Sequence, residues 1–249
     1  MELNLTVNGF QQTAVYSDET LKKVLQPLLQ RFRKLREEAG RSVIIFLSAP
    51  PGAGKSTLGK TLELLSGKEQ PGFLQCLSID GFHMTNAALS KLIVARPEGP
   101  VRGSEIKGAP ETYDVGKLDR KLQLLAEGAE NVYFPVYDRN LHEPREDAEA
   151  VTAPVILLEG NWLLYEGCGW ERLTRYADLT IFLDAEEAEL REGLIQRKMR
   201  GGRTRAEAEA WFDSTDGPNI RLVKKNKKAA DILIRRIGIG ALQAEHGLE

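Results

Sequence analysis

The sequence lacks the features of a disulfide-bonded, membrane-spanning or nucleic-acid-binding protein. Its two cysteines, Cys76 and Cys168, lie far apart in unrelated contexts. They predict neither a disulfide framework nor a zinc site, and we expect both to be buried thiols in a reducing compartment.

The longest apolar run, around residues 43–47, is too short to cross a bilayer. The amino terminus lacks the basic and apolar regions of a signal peptide. The 34 Lys and Arg against 36 Asp and Glu give no basic excess to attract nucleic acid or anionic lipid. We therefore expect a cytoplasmic protein that binds neither membranes nor nucleic acid.

The pattern of apolar residues predicts an α/β fold. The chain has 249 residues, of which 42% are hydrophobic, which is enough for one large domain with a buried core. Several short segments are apolar almost throughout, as is typical of parallel strands buried on both faces. These segments are 42–49, 73–80, 154–161, 178–185 and 230–237. Helical periodicity lies between them, at 55–66, 114–127, 186–200, 204–213 and 217–228. The alternation predicts a doubly wound, mainly parallel sheet with helices on both faces.

The first forty residues show a different pattern. Apolar and polar residues alternate on either side of Asn8-Gly9, as in β-strands. This dipeptide favours the tight turn of a β-hairpin. Ser17 is a predicted N-cap, and the helix that follows should end at Gly40 and bend at Pro27. We predict that residues 1–40 form a hairpin and a helix packed on the core, and that residues 41–249 form the main domain.

The segment SAPPGAGKST, residues 48–57, predicts a phosphate-binding loop between a buried strand and a helix. Gly52 and Gly54 let successive N–H groups point inward at the helix N-terminus, where they bind an anion. Lys55 is placed to reach the β- and γ-phosphates, and Ser56 to ligate Mg²⁺. Ala49 replaces the first glycine of the usual pattern, which is expected to alter the start of the loop slightly.

The predicted ATP-binding residues are Pro51, Gly52, Ala53, Gly54, Lys55, Ser56 and Thr57. Adenine is the expected base, because residues 226–229 lack the acid of the guanine-binding motif N-K-x-D.

Polar residues follow two of the predicted strands at their carboxyl ends, where open α/β sheets bind ligands. Asp80 can accept a proton from an attacking hydroxyl or hold that hydroxyl in line, although such a residue can also merely cap a turn. Glu159 ends an apolar strand, where an acid needs a cation, water or donors. It can serve Mg²⁺ or an acceptor, or pair with a buried lysine. Asn161 follows on the same edge. Ser56, with Asp80 or Glu159, forms the predicted metal site.

Four further segments give the chain a recognisable resemblance. They are SIDGFHM (78–84), KGAPETYD (107–114), FPVYDRNLHEP (134–144) and ILLEGNW (156–162). In this order they resemble the P-loop small-molecule kinases, which include pantothenate kinase, uridine kinase and phosphoribulokinase. Bacterial nucleoside/nucleotide kinase-like or fructose-transport-associated kinases are the most similar group overall. The resemblance implies a P-loop NTPase fold, ATP and Mg²⁺ as cofactors, and Asp80 as the group that activates the hydroxyl. Related kinases are often dimers or tetramers, so a homo-oligomer is among the expected states.

The same segments supply candidate acceptor-binding residues, namely His83, Tyr137, Arg139, His142, Glu159 and Asn161. The histidines lie in polar loops, where hydrogen bonding within the loop is the alternative role. Phe82, Tyr137 and Trp162 are further candidates for packing against a sugar or a base. Tyr113 and Asp114 can contact the acceptor or cap the next helix.

Residues 191–215 predict a lid, made of two helices separated by Gly201-Gly202. Arg197 and Arg200 lie on one face of the first helix. The resemblance implies that they close over the transferring phosphate, and a solvated basic face is the alternative. Together these features predict an ATP-dependent kinase with Lys55, Asp80, Arg197 and Arg200 as its catalytic residues. Its acceptor would be a hydroxyl of a sugar, nucleoside or pantothenate-like alcohol. The alternative function is a nucleotide-binding regulatory switch that acts through a protein partner.

Overall fold

Strands and helices alternate along most of the chain in the computed structural model, which describes residues 1–7, 9–97 and 99–248. The strands are β1 (Glu2–Val7), β2 (Phe10–Val15), β3 (Val43–Ser48), β4 (Leu74–Ser78), β5 (Ile93–Val94), β6 (Val101–Arg102), β7 (Tyr133–Asp138), β8 (Glu143–Ala150), β9 (Val155–Gly160), β10 (Leu179–Asp184), β11 (Ile232–Gly238) and β12 (Ala241–His246). The α-helices are α1 (Asp18–Thr20), α2 (Gln26–Ala39), α3 (Lys55–Glu69), α4 (Asn86–Lys91), α5 (Val115–Ala126), α6 (Glu187–Arg200), α7 (Arg205–Trp211) and α8 (Gly217–Lys225).

The centre of the fold is a six-stranded sheet in the order β12-β11-β10-β3-β9-β4. Five of these strands are parallel, and β12 runs antiparallel to β11 at one edge. The five parallel strands correspond to the five apolar segments of the sequence, so the predicted doubly wound α/β fold is confirmed. All five carboxyl ends therefore meet at one edge of the sheet, which is where the polar candidates follow their strands.

The two faces of the sheet carry separate apolar clusters. Every residue of β3 and of β9 is buried, as expected for strands covered on both sides. Successive β3 residues point to opposite faces, so Ile45 and Leu47 belong to one cluster and Ile44 and Phe46 to the other. The phosphate loop follows β3 directly and is therefore attached to a fully buried strand inside the sheet.

The N-terminal segment forms the predicted hairpin, with β1 and β2 paired antiparallel. Asn8 of the predicted turn lies outside the described residues, and Gly9 has a positive φ of 83°. The Ser17 side chain accepts a hydrogen bond from the Thr20 N–H, and the helix ends at Gly40 with φ 65°. A wider π-helical turn spans residues 21–25, just before Pro27, whose missing N–H and bulky ring disturb the regular pattern. Buried residues of this segment lie in the same apolar cluster as residues of the sheet. The boundary at residue 40 between an N-terminal unit and the main domain stays a prediction.

Several elements differ from the sequence-based expectation. The polar strand β8 pairs with β7 in a second hairpin, and β12 extends the sheet. The last helix ends at Lys225, so the lysine-rich residues after it are not on a helical face as the periodicity suggested. Cys76 is buried as expected, but Cys168 is exposed. In the part of the chain that is described, no helix combines the length and apolar composition needed to cross a membrane.

Candidate active site

The phosphate loop has the backbone geometry of an anion-binding site. Gly52 and Gly54 have φ values of 82° and 99°, a conformation that glycine adopts without a steric penalty. Lys55 then begins α3, whose first N–H groups and dipole face the loop. Ala49 is fully buried and is not among the described residues with positive φ. An alanine therefore fits at the start of this loop without strain, so the expected alteration there has no basis in the backbone.

Arg236 of β11 holds the phosphate loop through two of its carbonyl oxygens. Sequence reasoning missed this contact. Its Nη1 donates to the carbonyl oxygens of Gly52 and Ala53 at 3.1 and 3.3 Å, and its Nε lies 3.4 Å from Glu189 Oε2. Carbonyls held by a cation on the outer side leave the neighbouring N–H groups free to face an anion. The signal available in the sequence was an arginine pair, Arg235 and Arg236, at the carboxyl end of a predicted strand.

Glu159 lies beside the phosphate loop at the end of β9. Its Oε1 accepts a 2.9 Å hydrogen bond from Ser56 Oγ, and its Oε2 lies 3.7 Å from Lys55 Nζ. The carboxylate is 3% exposed, and Oε2 receives no hydrogen bond from any described residue. The structure therefore places three of the sequence-predicted groups, Lys55, Ser56 and Glu159, in direct contact.

Burial is the main cause of a raised pKa at Glu159. Lys55 and Ser56 lower this pKa, and the negative charge of Asp80 raises it further. Asp80 follows Ser78, which pairs with Glu159 between β4 and β9. A buried carboxylate oxygen without a donor, next to a hydroxyl, fits a hard cation such as Mg²⁺. Among the described residues there is no group of three or more His, Cys, Asp or Glu for a metal. Mg²⁺ needs no such group, because it usually keeps several waters and binds phosphate oxygens as well.

Asp80 lies in a short 3₁₀ turn, residues 79–82, directly after β4. The Asp80 N–H donates to Ser78 Oγ at 3.2 Å, and its Oδ2 lies 3.3 Å from Arg139 Nη2. Gly81 packs so closely on the next hairpin that a Cβ there would lie 1.9 Å from the Pro135 carbonyl oxygen. The close packing brings two of the motif segments together and explains why glycine follows Asp80.

His83, Tyr113 and Tyr137 form an aromatic group next to Asp80. The His83 ring lies 4.0 Å from the Tyr113 ring and 5.1 Å from the Tyr137 ring, measured between centroids. His83 Nδ1 is 2.8 Å from the Asp80 carbonyl oxygen, and burial lowers the pKa of His83, so its imidazole is neutral at pH 7. Lys107 lies 5.2 Å from the Tyr137 ring centroid. This group packs around the backbone of Asp80, and Tyr137 remains partly exposed.

A cavity of about 430 Å³ opens beside Asp80, within the size range of small-molecule sites. Asp80, Tyr137 and Arg139 line it, which brings three of the predicted site residues to one space. Phe82 and Trp162 do not line it. They are buried in the core at 1% and 0% exposure, so the suggestion that they pack against an acceptor is wrong. Their rings pack in the apolar cluster on one face of the sheet instead.

The remaining predicted acceptor residues are more dispersed. His142 is exposed in the β7–β8 turn with φ 52°, and its backbone oxygen accepts from Lys107 Nζ at 2.7 Å. Asn161 follows β9, and its buried Oδ1 has no donor within the described ranges. Asp114 caps α5 by accepting from the Lys117 N–H, which favours the capping role over acceptor contact.

The predicted lid consists of α6, a turn at Gly201-Gly202, and α7. Arg197 is exposed on α6, and partial desolvation by the atoms around it lowers the pKa of its guanidinium. The negative charges of Asp216 and Asp80 raise this pKa, and the positive charge of Arg139 lowers it. Arg197 therefore interacts electrostatically with both members of the Asp80–Arg139 pair. Asp216, which the sequence did not single out, has a buried Oδ2 without a donor in the described part of the chain.

Comparison with known proteins identifies the family. Residues 44–242 match the profile of the phosphoribulokinase / uridine kinase family, which is most of the chain. The chain belongs to this family. Its relatives include the uncharacterized protein YggC of Escherichia coli (strain K12), which is 42% identical over 237 residues covering 94% of this chain and 95% of that protein. A pantothenate kinase of Chelativorans sp. (strain BNC1) is 30% identical over 166 residues, 63% of this chain and 49% of that enzyme.

A solved structure from Silicibacter sp. TM1040, described as a candidate fructose transport system kinase, superimposes with a TM-score of 0.73. It is 31% identical, and the alignment covers 84% of this chain and 98% of that one. The phosphoribulokinase / uridine kinase family and these relatives confirm the resemblance inferred from the motifs. They support an ATP-binding, P-loop transferase that phosphorylates small molecules, and they do not identify its acceptor.

Proposed function

We propose that the protein transfers the γ-phosphoryl group of ATP to a hydroxyl of a small metabolite, which is a sugar, a nucleoside or a pantothenate-like alcohol. The position of Asp80 carries this proposal. Asp80 follows Ser78, which pairs with Glu159 beside the phosphate loop, and Asp80 also lines the 430 Å³ cavity. Asp80 thus stands between the nucleotide site and a space for an acceptor, where a general base is needed.

In the proposed reaction the acceptor oxygen attacks the γ-phosphorus, and its proton passes to the Asp80 carboxylate. The bond between the γ-phosphorus and the β–γ bridging oxygen breaks, and ADP leaves with those electrons. Arg139 contacts Asp80 Oδ2, so the proton is accepted at Oδ1. Lys55 and the loop N–H groups hold the β- and γ-phosphates and offset the charge that develops on them.

Ser56 and Glu159, with Asp80 nearby, are the residues that would hold Mg²⁺. When bound, the ion supplies positive charge to the β- and γ-phosphate oxygens. Arg197 lies near Asp80 on the lid and would neutralise charge on the γ-phosphoryl oxygens. Arg200, one turn further along α6, has the same proposed role.

The proposal is tested by measuring ADP release with ATP and Mg²⁺ against fructose, uridine, cytidine, pantothenate and D-glycerate. We expect at least one to stimulate release by more than about tenfold over hydrolysis in water, because a positioned acceptor reacts faster than solvent. Tight nucleotide binding without stimulation by any of them would contradict the kinase and favour the regulatory switch.

A further inference from the structure

The N-terminal hairpin lies outside the region that matches the family, which begins at residue 44. One face of β1 is anchored in the core by Leu3, Leu5 and Val7, whose side chains are buried. The next strand reaches the nucleotide site, where Gln12 Nε2 donates to Thr57 Oγ1 at 2.8 Å. The hairpin is therefore held in a defined position against the first turns of α3.

The tip of this hairpin lines the cavity that contains Asp80. Thr6, Gly9 and Phe10 contribute to the wall, with Asp80 and Tyr137 elsewhere on the same cavity. Phe10 is 65% exposed, so its ring contributes little to the core and is available to a ligand. The cavity thus has a carboxylate beside the phosphate loop and an aromatic ring contributed by a segment outside the family match.

The cavity wall also contains charged residues. Lys60 of α3 and Arg145 of β8 line it, and Lys60 Nζ is already held by Glu63 Oε2 and the Cys76 carbonyl oxygen. The polar groups of the wall can bind hydroxyls, whereas the Phe10 ring can only offer apolar contact. A ligand that makes both kinds of contact has a polar part next to an apolar or flat part.

We propose that Phe10 is a specificity-determining residue that contacts the end of the acceptor far from the phosphorylated hydroxyl. The inference rests on the proposed kinase function. The Phe10 contact favours hydroxyl compounds that carry an apolar or flat group beyond the reacting hydroxyl. Examples of such a group are the base of a nucleoside and the alkyl part of a pantothenate-like alcohol. Compact acceptors such as D-glycerate and fructose lack such a group, so we expect them to gain nothing from Phe10.

The test compares the full-length wild-type chain with Phe10→Ala, Phe10→Tyr and Ile239→Ala in steady-state ADP release. Uridine and pantothenate serve as extended probes, and D-glycerate and fructose as compact ones. Phe10→Ala is expected to raise the KM for the stimulating extended acceptor by about tenfold, as for loss of a buried aromatic contact. The KM for ATP should stay within about twofold, because the ring does not contact the phosphate loop.

Phe10→Tyr keeps the ring and should keep the wild-type KM. Ile239 is fully exposed in the β11–β12 turn, so Ile239→Ala is the matched control for removing an exposed apolar side chain. Wild-type stimulation with an unchanged KM in Phe10→Ala would overturn this inference alone. Stimulation by compact acceptors only, or an equal rise in the KM for ATP, would also overturn it. Lack of stimulation by every probe in the wild type would overturn the proposed function and the inference together.

Discussion

Removal of the Arg236 guanidinium, which contacts two carbonyl oxygens of the phosphate loop, should weaken nucleotide binding. A single nitrogen, Nη1, serves both the Gly52 and Ala53 carbonyl oxygens, so the contact counts as one shared, charge-assisted hydrogen bond. Such a bond contributes about 1.5–3 kcal/mol. The ion pair with Glu189 is partly exposed, long at 3.4 Å, and adds less than about 1 kcal/mol.

If Arg236→Gln releases the loop from its anion-binding conformation, ATP must restore that conformation on binding. The upper bound of about 3 kcal/mol corresponds to a Kd about 150-fold higher, and 1.5 kcal/mol to about tenfold. Isothermal titration calorimetry with ATP and Mg²⁺ measures this change without any acceptor. We expect a rise of about 10- to 100-fold.

Arg235→Gln is the matched control. Arg235 is adjacent in β11, points to the opposite face, and pairs with Glu245 and Glu186 rather than with the loop. Its variant should bind ATP like the wild type. An Arg236→Gln chain with wild-type affinity, or an equal loss in Arg235→Gln, would refute the idea that Arg236 positions the loop.

Three further substitutions test other parts of the account. Gly81→Ala places a Cβ 1.9 Å from a backbone oxygen of β7 and should lower the free energy of unfolding by about 3 kcal/mol. Gly67→Ala, in open space on α3, should not lower it, and chemical denaturation of both variants decides this. Glu159 has a pKa raised above 4.5, so the wild-type apo protein loses stability as the pH rises through that pKa. Glu159→Gln should therefore melt at a higher temperature than the wild type at pH 7, with the difference vanishing below the unfolded-state pKa. A difference that does not change with pH would contradict this. Arg197→Ala should lower kcat more than it raises the acceptor KM, whereas Arg203→Ala should change neither. A KM effect alone would place Arg197 in the acceptor pocket.

The strands and the phosphate loop were predictable from the sequence because each depends on local pattern. The parallel strands are continuous apolar runs, and the loop is a fixed spacing of Gly, Lys and Ser. Strand β8, EPREDAEA, gave no such signal, because its side chains are largely exposed and its position depends on pairing with β7.

The surroundings of the site were less predictable because they depend on contacts between distant segments. Phe82 and Trp162 flank the predicted site residues Asp80, His83 and Asn161 in the sequence, yet the local backbone turns direct both aromatic rings into the core. Arg236 and Phe10 reach the site from the two ends of the chain. No spacing rule connects either residue with the phosphate loop, so only the folded arrangement reveals their positions.

Asp80→Asn tests whether Asp80 accepts the proton of the attacking hydroxyl. The measurement is kcat with the acceptor that stimulates ADP release most, together with the Kd for ATP in the presence of Mg²⁺. Asp138, which lines the same cavity and caps the β7–β8 turn, provides the matched control Asp138→Asn. We expect Asp80→Asn to lower kcat by about 10²- to 10⁴-fold while the Kd for ATP changes by less than about fivefold. A near-normal kcat with ATP binding lost would contradict it, because Asp80 would then act only as a ligand of the metal.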